Sequence, residues 1–217
     1  MRRTKAEPNF DAVARPYRWM EYATFGRALE RCRMHFLPRL LDRKRALVLG
    51  DGDGRFTAAL VTANPAVEVD AVDTSGAMLR LLRRKCVDAG ARVRTHQMSA
   101  LSFLPEASYD LDLIVSHFFL DCLTQAEVEA LVARLTPHLA AGGVWVVSEF
   151  RIREGWLEWP ARMLVGALYG AFRLLTGLRT NRLPDHAAAF AAVGFVWVAR
   201  HDSLGGLLRT ELWRASA

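Results

Sequence analysis

The stretch ALVLGDGDGRFTAAL (residues 46–60) decides the fold. Its first half is a short apolar run with strand character that ends at Gly50. Its second half spaces apolar residues as a helix does. A strand that turns through glycines into a helix presents backbone N–H groups at a helix start, the usual setting for a nucleotide-type ligand. Here two carboxylates, Asp51 and Asp53, stand between the glycines, so the ligand must tolerate negative charge.

The same alternation continues downstream. VEVDAVD (67–73) reads as a second strand, and SGAMLRLLRRKCVDAG (75–90) as a helix that stops at Gly90. ARVRTHQM (91–98) is a third strand and YDLDLIVSHFF (109–119) a fourth with an apolar centre. TQAEVEALVARLTPHLAAGG (124–143) is a helix with a Thr124–Glu127 capping box and a glycine stop. GVWVVSEF (143–150) is the fifth strand. After a helix at 184–195, FVWVARHDSLGGLLRTELWRA makes two strands around Gly205-Gly206, an antiparallel hairpin. Strands separated by helices at this rhythm predict a mostly parallel, doubly wound α/β sheet of seven strands in the Rossmann manner, closed by that hairpin. Ligands on such sheets bind beyond the carboxyl ends of the strands. The positions to watch are therefore 50–54, Asp73, 97–100, 116–121 and Glu149.

Residues 1–44 read as an N-terminal helical cap, broken at Pro38, ahead of a domain at 45–217. An apolar, aromatic segment follows the fifth strand, and about 155–180 reads as a helical lid.

Length and composition fit one large globular domain: 217 residues, 52% of them hydrophobic, with no repeat and no low-complexity tract. The net charge of +6 is nearly all arginine, and residues 1–45 hold twelve Lys/Arg against five Asp/Glu. These basic residues interleave with apolar ones, the pattern of a solvated helix face, and no nucleic-acid partner is expected. Cys32, Cys86 and Cys122 have no metal-ligand spacing and read as reduced thiols. No apolar segment follows the charged N-terminus, so a cytoplasmic location is expected and a signal peptide is not.

Three ligands compete for the glycine loop. A dinucleotide loop needs G-x-G-x-x-G, but the third glycine falls one residue early, at Gly54. Two like charges about 4 Å apart at an effective dielectric near 20 repel by roughly 4 kcal/mol, which disfavours a phosphate beside Asp51 and Asp53. A calcium loop fails at Arg55, Phe56 and Thr62, which stand where ligands and a glycine are required. A cationic ligand without phosphate is attracted by the carboxylates, and glycines let the backbone approach it closely.

G-x-G-x-G after a first strand, with Asp73 ending the second, HLAAGGVWVVSEF and the final hairpin resemble the class I S-adenosylmethionine-dependent methyltransferases over residues 45–214. The resemblance implies S-adenosylmethionine as cofactor and S-adenosylhomocysteine as product. It implies that Gly50, Gly52 and Gly54 form the turn under the methionine part and that Asp73 accepts both ribose hydroxyls. It places Thr74 and Met78 near the adenine. Ser99 and Ala100 stand where the family often has Asp-Ala, and the Ser116 and His117 carbonyls face the cofactor ammonium. The family usually carries an acid two residues before the first glycine, and here that position is Val48. Asp51 and Asp53 are the nearest replacements; the alternative is that both cap the following helix.

For the acceptor, SHFFLDCLT (116–124) supplies candidates. A helical loop would put His117 and Asp121 on one face at i and i+4, the carboxylate orienting an imidazole base. His117 as a plain pocket wall is the other reading. Asp112, Asp121 and Glu149 do not make a convincing metal cluster, and no metal is expected. The aromatic residues Tyr17, Trp19, Tyr22 and Trp156 suggest walls for a small, apolar or aromatic acceptor, methylated at oxygen. A non-catalytic or regulatory protein on the same fold and a nicotinamide oxidoreductase are the rivals. Peripheral membrane contact through the apolar run 163–172 and a homodimer stand open; the run is too short to span a bilayer.

Overall fold

Strand β1 (Arg45–Leu49), the run that leads into the glycine loop, lies inside a seven-stranded sheet. The computed structural model describes residues 25–106, 110–151 and 183–216. In chain order the described elements are α1 (Ala28–Met34), β1, α2 (Arg55–Ala63), β2 (Glu68–Asp73), α3 (Gly76–Lys85), β3 (Val93–Gln97) and β4 (Leu111–His117). There follow α4 (Gln125–Leu135), β5 (Leu139–Phe150), α5 (His186–Ala192), β6 (Phe195–Ser203) and β7 (Leu208–Ala215). Tyr17, Trp19, Tyr22, Trp156, the expected lid and the apolar run 163–172 lie outside the described residues. No described helix is long and apolar enough to cross a membrane.

The sheet order is β3-β2-β1-β4-β5-β7-β6. β1 pairs in parallel with β2 and β4, and β4 with β5. β7 runs antiparallel between β5 and β6, as the Gly205-Gly206 turn predicts. The order reverses direction between β1 and β4, which opens a crevice at their carboxyl ends. The strands are apolar on both faces because helices cover both. Leu47, Ile114, Trp145 and Val147 pack under α4 and α5, where Phe190 meets Trp145 edge-on at 4.9 Å and stacks on Trp213 at 5.3 Å. Val48, Val115 and Val146 pack on the other face with Phe56 and Leu60 of α2.

The Thr124–Glu127 capping box forms, with both reciprocal hydrogen bonds. Helix α4, however, stops at Leu135 and not at the glycines. Pro137 lacks an N–H, so the chain tightens into a 3-10 turn over Thr136–His138. Ala140 to Gly143 instead fall within β5, in a bulge: Leu111 pairs with Leu139, and Leu113 with Val144. The α-helix expected to run to Gly90 ends at Lys85 and continues as a 3-10 stretch, Val87–Arg92. At the N-terminal side, α1 ends at Met34, and Pro38 lies in a separate 3-10 turn, Leu37–Arg39.

Near the sheet edge, Arg94 of β3 grips Asp70 of β2 through two hydrogen bonds of 2.9 and 3.0 Å, and His96 Nε2 lies 2.7 Å from the same carboxylate. Burial opposes ionisation of Asp70, but these partners outweigh it and hold its pKa below the usual carboxylate value. A depressed folded pKa stabilises above the unfolded value, about 3.9, and that stability is lost as pH falls through the folded pKa. Asp70→Asn is expected to cost about 1 kcal/mol near neutral pH, a figure kept small because Arg94 is partly exposed. Urea unfolding should show the wild-type advantage shrinking below about pH 4.

Candidate active site at the carboxyl end of the sheet

The strand register aligns the ligand-facing positions. Leu49 pairs with Val72 on one side and Ser116 on the other, Asp73 with Gln97, and His117 with Ser148. The glycine loop, Asp73, His117 and Glu149 therefore end neighbouring strands in one row. Gly50, Gly52 and Gly54 all have left-handed backbone, φ +62°, +59° and +79°. At two of them a side chain has no room: a Cβ on Gly50 would strike the Phe119 ring, and one on Gly54 would lie 2.6 Å from the Leu82 backbone of α3.

The two loop carboxylates have work inside the protein. Asp51 Oδ2 accepts the Thr57 N–H at 2.8 Å and the Thr57 hydroxyl at 2.7 Å, closing the first turn of α2. Burial raises the Asp51 pKa in spite of both hydrogen bonds. Asp53 pairs with Arg55 at 2.9 Å and with Lys85 from the last turn of α3. Val48 is packed in the core. The helix-capping reading thus describes Asp51, and ion pairs tying the loop to α3 describe Asp53.

Asp73 Oδ1 accepts the Ser75 N–H at 2.8 Å, and Ser75 Oγ caps α3 by accepting the Met78 N–H at 3.2 Å. Thr74 lies between them, partly exposed, and the Met78 side chain is buried. Ser99 forms the turn after β3, its hydroxyl accepting the Leu101 N–H at 3.1 Å. The carbonyl of buried Ala100 accepts from Arg134 of α4 at 2.5 Å. The Ser116 hydroxyl is fully buried and accepts from Trp145 Nε1 at 3.0 Å.

His117 and Asp121 do not share a helical face. Phe118 takes a left-handed backbone, φ +54°, and the 3-10 turn begins only at Leu120. Such a conformation in a bulky residue is strained and persists where the surroundings enforce it. Here the Phe118 N–H is tied to the Ser148 carbonyl at 2.6 Å. The His117 ring turns to the α2 face, edge-on to Phe56 at 4.6 Å, with Nδ1 2.8 Å from Ser148 Oγ, which in turn bonds Thr210 Oγ1. Its Nε2 is buried without a partner. Burial first, and the charge of Arg33 second, hold the His117 pKa well below 6.5. A depressed histidine pKa means stability that is complete above the unfolded value, about 6.5, and is lost as acid forces the buried ring to charge. An NMR titration should find the His117 ring neutral at pH 6.5, while a midpoint at or above that value would contradict this burial.

Asp121 meets Glu149 instead. Glu149 Oε1 accepts the Leu120 N–H at 3.0 Å, and Oε2 is buried with no donor. Burial, and then the Asp121 charge, push the Glu149 pKa well above 4.5. The Cys122 thiol donates to Asp121 at 3.4 Å, and its pKa is raised by burial and by the charges of Asp121, Glu149 and Asp73. Glu149 is the residue that sequence reasoning undervalued. Its strand-end position was legible, but its contact with Asp121 depends on the left-handed turn at Phe118. Asp112 lies far from this pair in function as well: it accepts the Lys44 and Arg45 N–H groups beside the amino ends of β1 and β4. Among the described residues no group of three metal-binding side chains forms, and the cysteines are free thiols.

Sheet order, glycine turn and strand-end acids define a class of proteins: doubly wound α/β domains that hold a nucleoside ligand across the carboxyl ends of their strands. Residues 46–143 match the methyltransferase-domain family. That match and the fold are those of S-adenosylmethionine-dependent methyltransferases, whose cofactor is S-adenosylmethionine. Among curated proteins it is similar to polyamine aminopropyltransferase 2 of Bacillus anthracis, 29% identical over 121 residues, with 51% of this chain and 34% of the relative covered. The chain spans about a third of the length of that relative. Among solved structures it resembles the N-methyltransferase NodS of Bradyrhizobium japonicum in complex with S-adenosylhomocysteine: TM-score 0.63, 16% identity, 87% and 88% of the two chains. It also resembles an O-methyltransferase family protein of Burkholderia thailandensis: TM-score 0.66, 16% identity, 95% and 58%. The residues fit the cofactor in two respects: the glycine turn keeps the left-handed backbone that only glycine adopts without strain, and the Asp73 carboxylate ends β2 beside it, partly exposed.

Proposed function

We propose that the protein transfers a methyl group from S-adenosylmethionine to the oxygen of a small, apolar or aromatic acceptor. The observation that carries this reading is the alignment of the glycine turn, Asp73 and the β4 and β5 ends in one row. When bound, the cofactor supplies a methyl group on a cationic sulfur, which an acceptor oxygen takes as the sulfur leaves as a thioether. Gly50, Gly52 and Gly54 hold the methionine part, Asp73 the ribose hydroxyls, and Thr74, Met78, Ser99 and Ala100 border the adenine. Phe118 and Phe119, enforced by the turn after β4, exclude water from the end of the crevice. His117 is the residue we assign to accept the proton that the acceptor hydroxyl loses; its Nε2 is buried beside Phe56, so the acceptor must displace that packing to reach it.

The test is a screen of phenols, quinols, carboxylic acids and amines for release of S-adenosylhomocysteine. Turnover with hydroxyl acceptors supports the reading. Turnover with amines alone moves the acceptor to nitrogen, the chemistry named for the NodS structure. His117→Ala is expected to keep cofactor affinity within about twofold and to lower turnover at least about 100-fold, the scale of a lost proton acceptor. Undiminished turnover would remove His117 from the reaction.

A further inference from the structure

Arg33 of α1 is, we infer, a positioning residue for the cofactor site: its guanidinium, laid on the Phe118 ring, holds the turn after β4 in the form that sets the Phe119 ring on the glycine turn. The inference rests on the S-adenosylmethionine reading and extends it to a residue of the N-terminal helix that acts through others.

The turn needs support from outside. Phe118 has φ +54°, a left-handed conformation that is costly for a bulky L-residue and persists only where its surroundings enforce it. One restraint is the 2.6 Å hydrogen bond from the Phe118 N–H to the Ser148 carbonyl. The other is a clamp on the ring. The Arg33 guanidinium carbon lies 5.1 Å from the Phe118 ring centroid, and the Phe150 ring lies 5.1 Å from it, tilted by 51°. Phe150 in turn meets Phe25 at 5.4 Å, and Leu29, Cys32 and Leu208 complete the same buried cluster. Arg33 is 7% exposed, so its charge is largely out of water, where the face of an aromatic ring attracts a cation more strongly. A lysine would keep the charge but not the flat group that stacks. The next residue carries the effect to the ligand loop. A Cβ on Gly50 would strike the Phe119 ring, so that ring lies directly on the backbone of the first glycine. A Phe118 backbone relaxed to negative φ would send the chain in another direction, and Phe119 would lose its seat on Gly50.

Calorimetry with S-adenosylhomocysteine, which needs no acceptor, tests the coupling by a double-mutant comparison. Arg33→Met keeps a long apolar side chain and removes the cation; it is expected to bind S-adenosylhomocysteine roughly tenfold more weakly. Arg33→Lys is expected to recover part of that loss, to about threefold below wild type. Phe118→Gly removes the ring and lets the backbone take positive φ without strain. In that background Arg33→Met is expected to change affinity by less than about twofold, because the guanidinium has no ring to hold. Melting curves are recorded for every variant, and the titrations are run well below the lowest midpoint, where a merely destabilised protein binds as wild type does. Should Arg33→Met fail to fold, Arg33→Lys carries the same comparison: a loss of about threefold in the wild-type background and none beside Phe118→Gly. An equal loss in both backgrounds, or no loss in either, overturns the positioning role and leaves the cofactor reading intact. Wild-type protein that binds neither S-adenosylhomocysteine nor S-adenosylmethionine overturns both.

Discussion

Gly54→Ala is expected to destabilise the protein by about 2–4 kcal/mol, combining the cost of a left-handed non-glycine residue with that of overpacking. Gly54 has φ +79°, and its new Cβ would fall 2.6 Å from the Leu82 Cα, an atom that cannot turn aside as a side-chain end would. Either α3 moves away from the loop or the turn unwinds. Both break the arrangement in which Asp53 joins Lys85 of α3. Urea unfolding with an unchanged m-value measures the loss. Gly142→Ala separates the two contributions: φ is +73° there, but nothing lies within 4 Å of the added atom. It should lose only the conformational part, about 1–2 kcal/mol. Equal losses at both positions would show that close packing of the loop on α3 contributes nothing.

Asp73→Ala is expected to weaken S-adenosylmethionine binding roughly 100-fold, the scale of a lost hydrogen-bonding carboxylate. Asp73 also holds the Ser75 N–H, and Ser75 caps α3, so the alanine variant disturbs the turn as well as the ligand contact. Asp73→Asn keeps an oxygen for the Ser75 N–H but can accept only one ribose hydroxyl well, and a loss of roughly tenfold is expected. Calorimetry with both cofactor forms assigns the contact. A ribose contact weakens S-adenosylmethionine and S-adenosylhomocysteine equally, because they share the ribose. A purely electrostatic role weakens the sulfonium form more. Unchanged affinity in both variants would remove Asp73 from the site.

The fold was legible because it is written in local periodicity. Short aliphatic runs alternating with helical spacing, a glycine turn after the first run and a Gly-Gly turn near the end specify a parallel sheet with an antiparallel closing hairpin. Boundaries were less legible where two local signals compete. Pro137 ended α4 ahead of the glycines, and the chain from Leu139 was taken into β5 by pairing with β4, a long-range effect. The strand-end positions of the site followed from the same periodicity.

What each side chain does there did not follow. Asp51 turned inward because Thr57 offers two donors at the start of α2, and Asp53 because Lys85 arrives from α3, thirty-two residues away. His117 and Asp121, four apart in sequence, parted to different partners because the Phe118 backbone is left-handed, a conformation no residue pattern announces. The sequence by itself determined the sheet, the glycine turn and the row of strand ends, since these depend on hydrophobic spacing and on glycine's backbone freedom. Only the tertiary structure decided that Glu149 meets Asp121 and that His117 keeps a free buried nitrogen. Such pairings depend on which donors and charges the packed helices and neighbouring strands bring within hydrogen-bonding distance.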